Sequence, residues 1–204
     1  VHLNIFKIIL IISFFFTSFC NGQDGQDLFD LIQDKQEVQL LPERMVFTQR
    51  LLWGDKGFLR KIGMAPLNTI QREKELKIRR SMLTSHQVIG YATLAAMVAQ
   101  GIIGAKLHKN WSRSTYDLHK DMATVVNIGY FTGAGLSLFA PPPLINKKVK
   151  GFSSIKAHKT LATIHFSAMV LTNVVDKYKN NNIHRASAFT AFGSYAVAIL
   201  VLKF

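Results

Sequence analysis

From Thr84 to the end of the chain, long apolar runs alternate with short polar, basic stretches, a rhythm that predicts helices long enough to cross a membrane. Four such runs lie at about 84–105, 120–140, 158–175 and 184–203. The first, TSHQVIGYATLAAMVAQGIIGA, matches a hydrocarbon layer of ~30 Å at 1.5 Å per residue. Gly90, Ala92, Ala95, Ala96, Ala99, Gly101 and Gly104 make it a helix of small residues, open to close approach by a neighbour or a flat ligand. KLHKNWSRSTYD reads as a polar loop with Trp111 and Tyr116 at interface depth and His108 exposed. The second run carries Gly129, Gly133 and Gly135 and is closed by Pro141, Pro142 and Pro143; the basic loop INKKVKGFSSIKAH leads to the third and KYKNNN to the fourth. The pattern predicts an all-α integral membrane four-helix bundle over residues 81–204.

Upstream the pattern differs. Residues 1–22 combine Lys7, an apolar run from Ile8 to Phe16 and then small and polar residues, the layout of a secretory signal peptide. An uncleaved anchor and a lipid attachment at Cys20 are the alternatives. Residues 23–80 read as a short amphipathic extramembrane segment, with DLFDLIQDKQEV as a short helix and turn signals at Pro42, Gly54, Gly57, Gly63 and Pro66. QREKELKIRRSM, with Asn68 and Thr69 as candidate caps, is expected to run as helix directly into the first span. Trp53, Phe58 and Leu59 beside Lys56, Arg60 and Lys61 suit a helix in the headgroup plane, or an ordinary amphipathic helix packed on the bundle.

Charge and cysteine content narrow the classes. The chain has 25 Lys and Arg against 12 Asp and Glu, a net charge of +13. These cations flank the apolar runs, so lipid headgroups and anionic cofactor groups are the expected counterions, and nucleic acid is not. One cysteine excludes an internal disulfide and any Cys-based zinc or iron–sulfur site.

Each run opens with a histidine: His86, His119, His158 and His184. A polar ring at such positions needs a partner or an ion. Successive antiparallel helices enter from alternate sides, which puts His86 and His158 near one leaflet and His119 and His184 near the other. Two facing neutral imidazoles suit the two axial positions of a haem iron, each offering one ring nitrogen while the other is held by an acceptor. Lys120, Lys156, Lys159 and Arg185 are placed to meet haem propionates. His165 shares a face with His158, two turns or ~10 Å further along; it is either an alternative ligand or a buried hydrogen-bonding residue between two haems. The bland alternative for each histidine is an interfacial side chain bonded to a carbonyl.

SHQVIGYATL, LHKDMATVV, FSSIKAHKTLA and IHRASAFTAFG, in this order and spacing, resemble the four ligand-bearing helix starts of the cytochrome b561 transmembrane domain. The resemblance covers residues 81–204. It implies four core helices holding two haem b, with ligands paired first with third and second with fourth helix, and the leader and short spans fit a bacterial member of the wider group that includes ferric reductase and DOMON-linked proteins.

The expected function is transmembrane electron transfer through two bis-histidine haems, with donor and acceptor unidentified and a ferric or quinone reductase activity left open. A haem-free membrane scaffold or partner-binding subunit is the alternative. Expected partners are membrane lipids and the electron donor and acceptor, with a homodimer or larger membrane complex open. The expected location is the bacterial inner membrane, multi-pass, with residues 23–80 periplasmic because a leader exports the segment next to it; Lys and Arg counts on the two sides do not favour either orientation.

Overall fold

In a computed structural model, residues 39–144, 153–176 and 181–203 are described. The leader, the DLFDLIQDKQEV helix and the loops at 145–152 and 177–180 lie outside the described residues. Residues 40–204 belong to one compact unit, so the boundary expected at 80/81 falls inside it and within a continuous helix. Among the described residues the chain is all-helical: α1 Phe47–Trp53, α2 Phe58–Lys61, α3 Thr69–Lys109, α4 Arg113–Leu138, α5 Ser154–Asp176 and α6 Asn181–Lys203.

Helix α3 begins where Asn68 accepts a hydrogen bond from the Gln71 backbone N–H at 2.8 Å, the capping role expected of it. Its 41 residues carry it over ~60 Å, about twice a hydrocarbon layer. It alone among the described helices is long and apolar enough to cross a membrane by length and composition. The polar loop expected over 106–117 shrinks to Asn110–Ser112, because α3 continues through Lys109 and Ser112 caps α4 by accepting from the Thr115 N–H at 3.2 Å. His108 therefore sits on the last turn of α3, not in a loop. Helix α4 stops at Leu138, just ahead of the three prolines, since proline supplies no N–H to continue the ladder.

Side-chain contacts define the arrangement. Thr93 meets Gly129 and Gly104 meets His119, so α3 and α4 run antiparallel. Thr172 bonds Ser187 at 2.9 Å and His158 bonds the Ala198 carbonyl at 3.0 Å, which makes α5 and α6 a second antiparallel pair. Tyr195 Oη donates to the Gly90 carbonyl at 3.2 Å, joining α6 to α3, while paired Asn127 and Asn173 amides at 2.9 and 3.0 Å join α4 to α5. Met97, Val126, Tyr130, Ala168, Met169, Ala191 and Tyr195 form the core, with contributions from all four long helices. Many large apolar side chains point outward, Ile102, Ile128 and Phe189 being 67%, 64% and 64% exposed.

Residues 40–80 are fastened to the end of α4 by a buried ionic cluster. Arg60 makes a bidentate pair with both oxygens of Glu75, which also accepts from Arg72, and the Glu75 side chain is fully buried. Arg72 also donates to the carbonyls of Leu40 at 2.7 Å, Pro142 at 3.1 Å and Pro143 at 3.3 Å, and Arg79 donates to Pro141 at 2.6 Å. Thr48 and the Trp53 indole cap the Leu138 and Phe139 carbonyls at 2.5 and 2.9 Å. Sequence pattern sets Arg60 beside Lys56 and Lys61 as an outward cation; it points inward instead, because Glu75 lies there.

Removing one partner of a buried ion pair leaves an uncompensated charge and costs about 3–5 kcal/mol. Glu75→Ala is expected to destabilise the protein by that order, read as a lowered unfolding midpoint in detergent. Glu73→Ala, which deletes an exposed pair with Lys77, is expected to change it by less than ~1 kcal/mol.

Candidate functional site

Helix periodicity and the antiparallel order bring the four histidines to two levels. His86 Nδ1 donates to the Gly133 carbonyl at 2.8 Å, and His158 Nδ1 donates to the Ala198 carbonyl at 3.0 Å. A carbonyl can only accept, so Nδ1 carries the proton in both rings and Nε2 keeps the lone pair. The two rings face each other across the diagonal from α3 to α5, with centroids 6.4 Å apart and planes at 85°. That distance also lies within the range of ordinary aromatic pairs. The fixed tautomers make the difference, since they leave a metal-binding nitrogen on each of two facing rings.

At the other end His184 Nδ1 donates to the Thr172 carbonyl at 3.2 Å, which again leaves Nε2 with its lone pair. His119 is an electrostatic neighbour of His184, and Asp176 adds negative charge beside it. Its ring is held differently. Gln100 Nε2 donates to the His119 carbonyl at 3.1 Å and stands 3.3 Å from His119 Nε2, while His119 Nδ1 and Gln100 Oε1 are buried without partners. Gly104 leaves room for this ring, because a Cβ there would lie 3.1 Å from His119 Cε1. The two levels stand roughly 20 Å apart at 1.5 Å per residue along α4 and α6.

Between them lies a polar core. Tyr130 and His165 share a hydrogen bond of 2.5 Å through Tyr130 Oη and His165 Nδ1, and Tyr195 packs 5.0 Å from the His165 ring centre and 5.6 Å from that of Tyr130. His165 is also an electrostatic neighbour of His158 and His86. It thus sits on the inner side of their pair, while His158 is the ring that faces His86.

The four cations expected around the histidines are exposed. Lys120 Nζ lies 5.8 Å from the Tyr116 ring centre, and Arg185 donates to His108 Nε2 at 3.0 Å, linking α6 to the end of α3. The Lys156 and Lys159 carbonyls accept from the hydroxyls of Thr160 and Thr163. Among the described residues no three His, Cys, Asp or Glu side chains gather as a metal cluster; the histidines come in twos. Sequence reasoning misses Gln100 and the partnership of Tyr130 with His165, although a glutamine among small apolar residues is a signal.

The small residues divide into two sets. Gly90, Gly104, Gly129 and Gly133 admit neighbouring side chains, while Gly101, Gly135 and Gly193 have nothing within 4 Å of where a Cβ would stand. Gly129 is the tightest approach between helices, its Cβ position lying 2.6 Å from Thr93 Oγ1. Gly129→Ala is expected to push α3 and α4 apart and cost ~1–3 kcal/mol, as overpacking does. Adding Thr93→Ala should recover most of the unfolding midpoint; no recovery would show that the contact between Thr93 and Gly129 does not set the helix spacing.

No protein-family model, curated protein or solved structure matches the chain, so the functional reading rests on its own residues.

Proposed function

We propose that the four long helices form a membrane-embedded four-helix bundle holding two b-type haems, one between His86 and His158 and one between His119 and His184, and that the protein carries electrons across the membrane. This is the function that the resemblance to the cytochrome b561 domain implies. The observation that carries it is the His86 and His158 pair. A metal–nitrogen bond of about 2 Å, with roughly 1 Å more to each ring centre, puts the centres of two axial imidazoles about 6 Å apart. The pair stands at 6.4 Å, with each Nδ1 tied to a carbonyl.

The outward-facing Ile102, Ile128 and Phe189 support membrane embedding, since apolar surface spread over every long helix is tolerated where lipid covers it. The second pair fits with one adjustment: His184 is tied as His86 and His158 are, while His119 offers Nδ1, its buried nitrogen without a partner. Gly101, Gly135 and Gly193 leave open space for a flat group.

Haem, when bound, would supply one-electron chemistry, and His86 with His158 and His119 with His184 are the residues that would hold it. The chain's residues orient and insulate. The carbonyls of Gly133, Ala198 and Thr172 fix three imidazole tautomers and strengthen the rings as ligands. Tyr130 holds His165 Nδ1, and His158 is the ring that stands opposite His86, so we assign His165 as a half-buried polar neighbour of the first pair and His158 as the ligand.

The reduced-minus-oxidised spectrum of the purified protein tests the reading and is expected to show b-type Soret and α bands; their absence would leave the haem-free scaffold. His86→Ala and His158→Ala should lose one spectral and potentiometric component, and His119→Ala and His184→Ala the other. Unchanged haem content in all four variants would overturn the ligand assignment.

His165→Leu and Tyr130→Phe should each keep two haems and shift the potential of the component that depends on His86 and His158. Loss of a haem in His165→Leu, with two retained in His158→Ala, would exchange the roles of these two histidines.

A further inference from the structure

The segment from Val46 to Met64 wears its polarity in reverse. On α1 the polar side turns inward: Gln49 is buried, and Thr48 and Trp53 cap the end of α4. Phe47 and Leu51, one turn apart on the other side, are 74% and 56% exposed. Around α2 the same inversion holds, with Arg60 turned in to Glu75 while Phe58, Ile62 and Met64 are 55%, 47% and 71% exposed. A short helix packed on a protein in water buries its apolar stripe and shows its polar one. Five large apolar side chains on one short segment instead mark a surface that something apolar covers.

Two further observations select what covers it. The exposed ionic residues of this segment are Arg50, Lys56 and Lys61 against the single acid Asp55, so the covering partner is apolar and anionic. A second copy of the same face would set these cations against their own kind. The depth also fits: Thr48 and Trp53 bond the carbonyls of Leu138 and Phe139, five and six residues beyond Gly133, or roughly 8–9 Å along the axis from the level of His86. His86 opens the apolar part of α3, so α1 lies at the height where hydrocarbon gives way to headgroups.

We propose that this face is a lipid-docking surface seated in the headgroup layer of an acidic leaflet, with Phe47, Leu51, Phe58, Ile62 and Met64 reaching toward the acyl chains and Arg50, Lys56 and Lys61 meeting lipid phosphates. It rests on the membrane placement of the long helices proposed above and is independent of what the histidines hold. It revises the expectation from sequence, in which Trp53, Leu59 and Arg60 belonged to the lipid-facing set.

Spin labels test it in the full chain. With Cys20, the only cysteine, changed to Ser, single cysteines replace Leu51, Ile62 and, as a control on α3, Ile102. Each variant is labelled and reconstituted in vesicles of phosphatidylcholine with or without phosphatidylglycerol, and its helix content is checked by circular dichroism. Collision with oxygen and with a water-soluble nickel chelate then reports depth. In the acidic vesicles the labels at 51 and 62 are expected to be oxygen-accessible and shielded from nickel, shallower than the label at 102. Each cation at an acidic surface is worth roughly fivefold in partitioning, so Arg50→Glu, Lys56→Glu and Lys61→Glu together should return both labels to water.

Labels at 51 and 62 as open to nickel as a site in water, with 102 in lipid, would overturn the docking surface and leave the membrane reading standing. Shielding of 51 and 62 from both reagents would overturn it in favour of a protein cover, either a second copy or the chain's own residues 1–38. Equal depth in neutral vesicles and after charge reversal would overturn the acidic partner, and a label at 102 in water would remove the membrane placement itself.

Discussion

Glu75 is a carboxylate without water, gripped by two guanidiniums, and the geometry of one end of the molecule depends on it. Two arginines against one glutamate leave an excess positive charge in a place that solvent does not reach, and ion pairing alone does not remove it. The excess is met by the end of α4. That helix has no basic residue in its last turn, so its final carbonyls, the negative pole of the helix, await donors. Thr48 and Trp53 supply them to Leu138 and Phe139, and Arg72 and Arg79 donate to the carbonyls of Pro141, Pro142 and Pro143 just past the helix. The cluster and the helix terminus therefore complete each other. Through this lock α3 and α4 hold a fixed register, which sets His86 opposite the Gly133 carbonyl.

Toward the middle of the molecule the same demand, that a buried polar group find a partner, joins the two helix pairs. The link from α4 to α5 is made by the Asn127 and Asn173 amides and by Tyr130 with His165, and Tyr195 reaches from α6 to the Gly90 carbonyl of α3. Such bonds give the packing of the two pairs its direction, and small residues allow the close approach. The His86 and His158 rings face each other across one diagonal of this arrangement, from α3 to α5.

The long helices are legible in the sequence because several signals agree. Apolar runs, the Asn68 cap and the stop at Pro141 concur, and each acts within a few residues of the boundary it sets. The pairing of His86 with His158 is legible too, because alternate entry of antiparallel helices is a matter of counting. The other partnerships made by the tertiary fold escape such a reading. Arg60, Arg72 and Glu75 read as exposed charges in basic stretches, since nothing local reveals that residues 15 apart in the chain enclose one another. Arg60 and Phe58 stand two residues apart and exchange the faces their chemistry suggests, because the strongest acceptor near Arg60 lies on the inner side. His108 reads as a loop residue because a run of Lys, His and Asn has the composition of a loop, yet α3 carries its ladder through it.

The two ends of the molecule are consequently not alike. At the end of His86 and His158 both rings are fixed by backbone carbonyls, and the Glu75 cluster closes over the terminus of α4 beside them. At the end of His119 and His184 one ring is fixed by a carbonyl and the other by a glutamine side chain, with Lys120 and Arg185 exposed nearby. A carbonyl held in a helix has little freedom, whereas a glutamine can rotate and can present either its oxygen or its nitrogen to the ring. In the proposed reading this separates two axial environments. The pair that includes His165 as a neighbour has both rings tied to backbone carbonyls, and the other has one ring tied to a carbonyl and one to a glutamine. The inequality follows from how α4 is held: at its C-terminal end by Thr48, Trp53 and the arginines that bond the proline run beyond it, and near its start by Gln100 of α3.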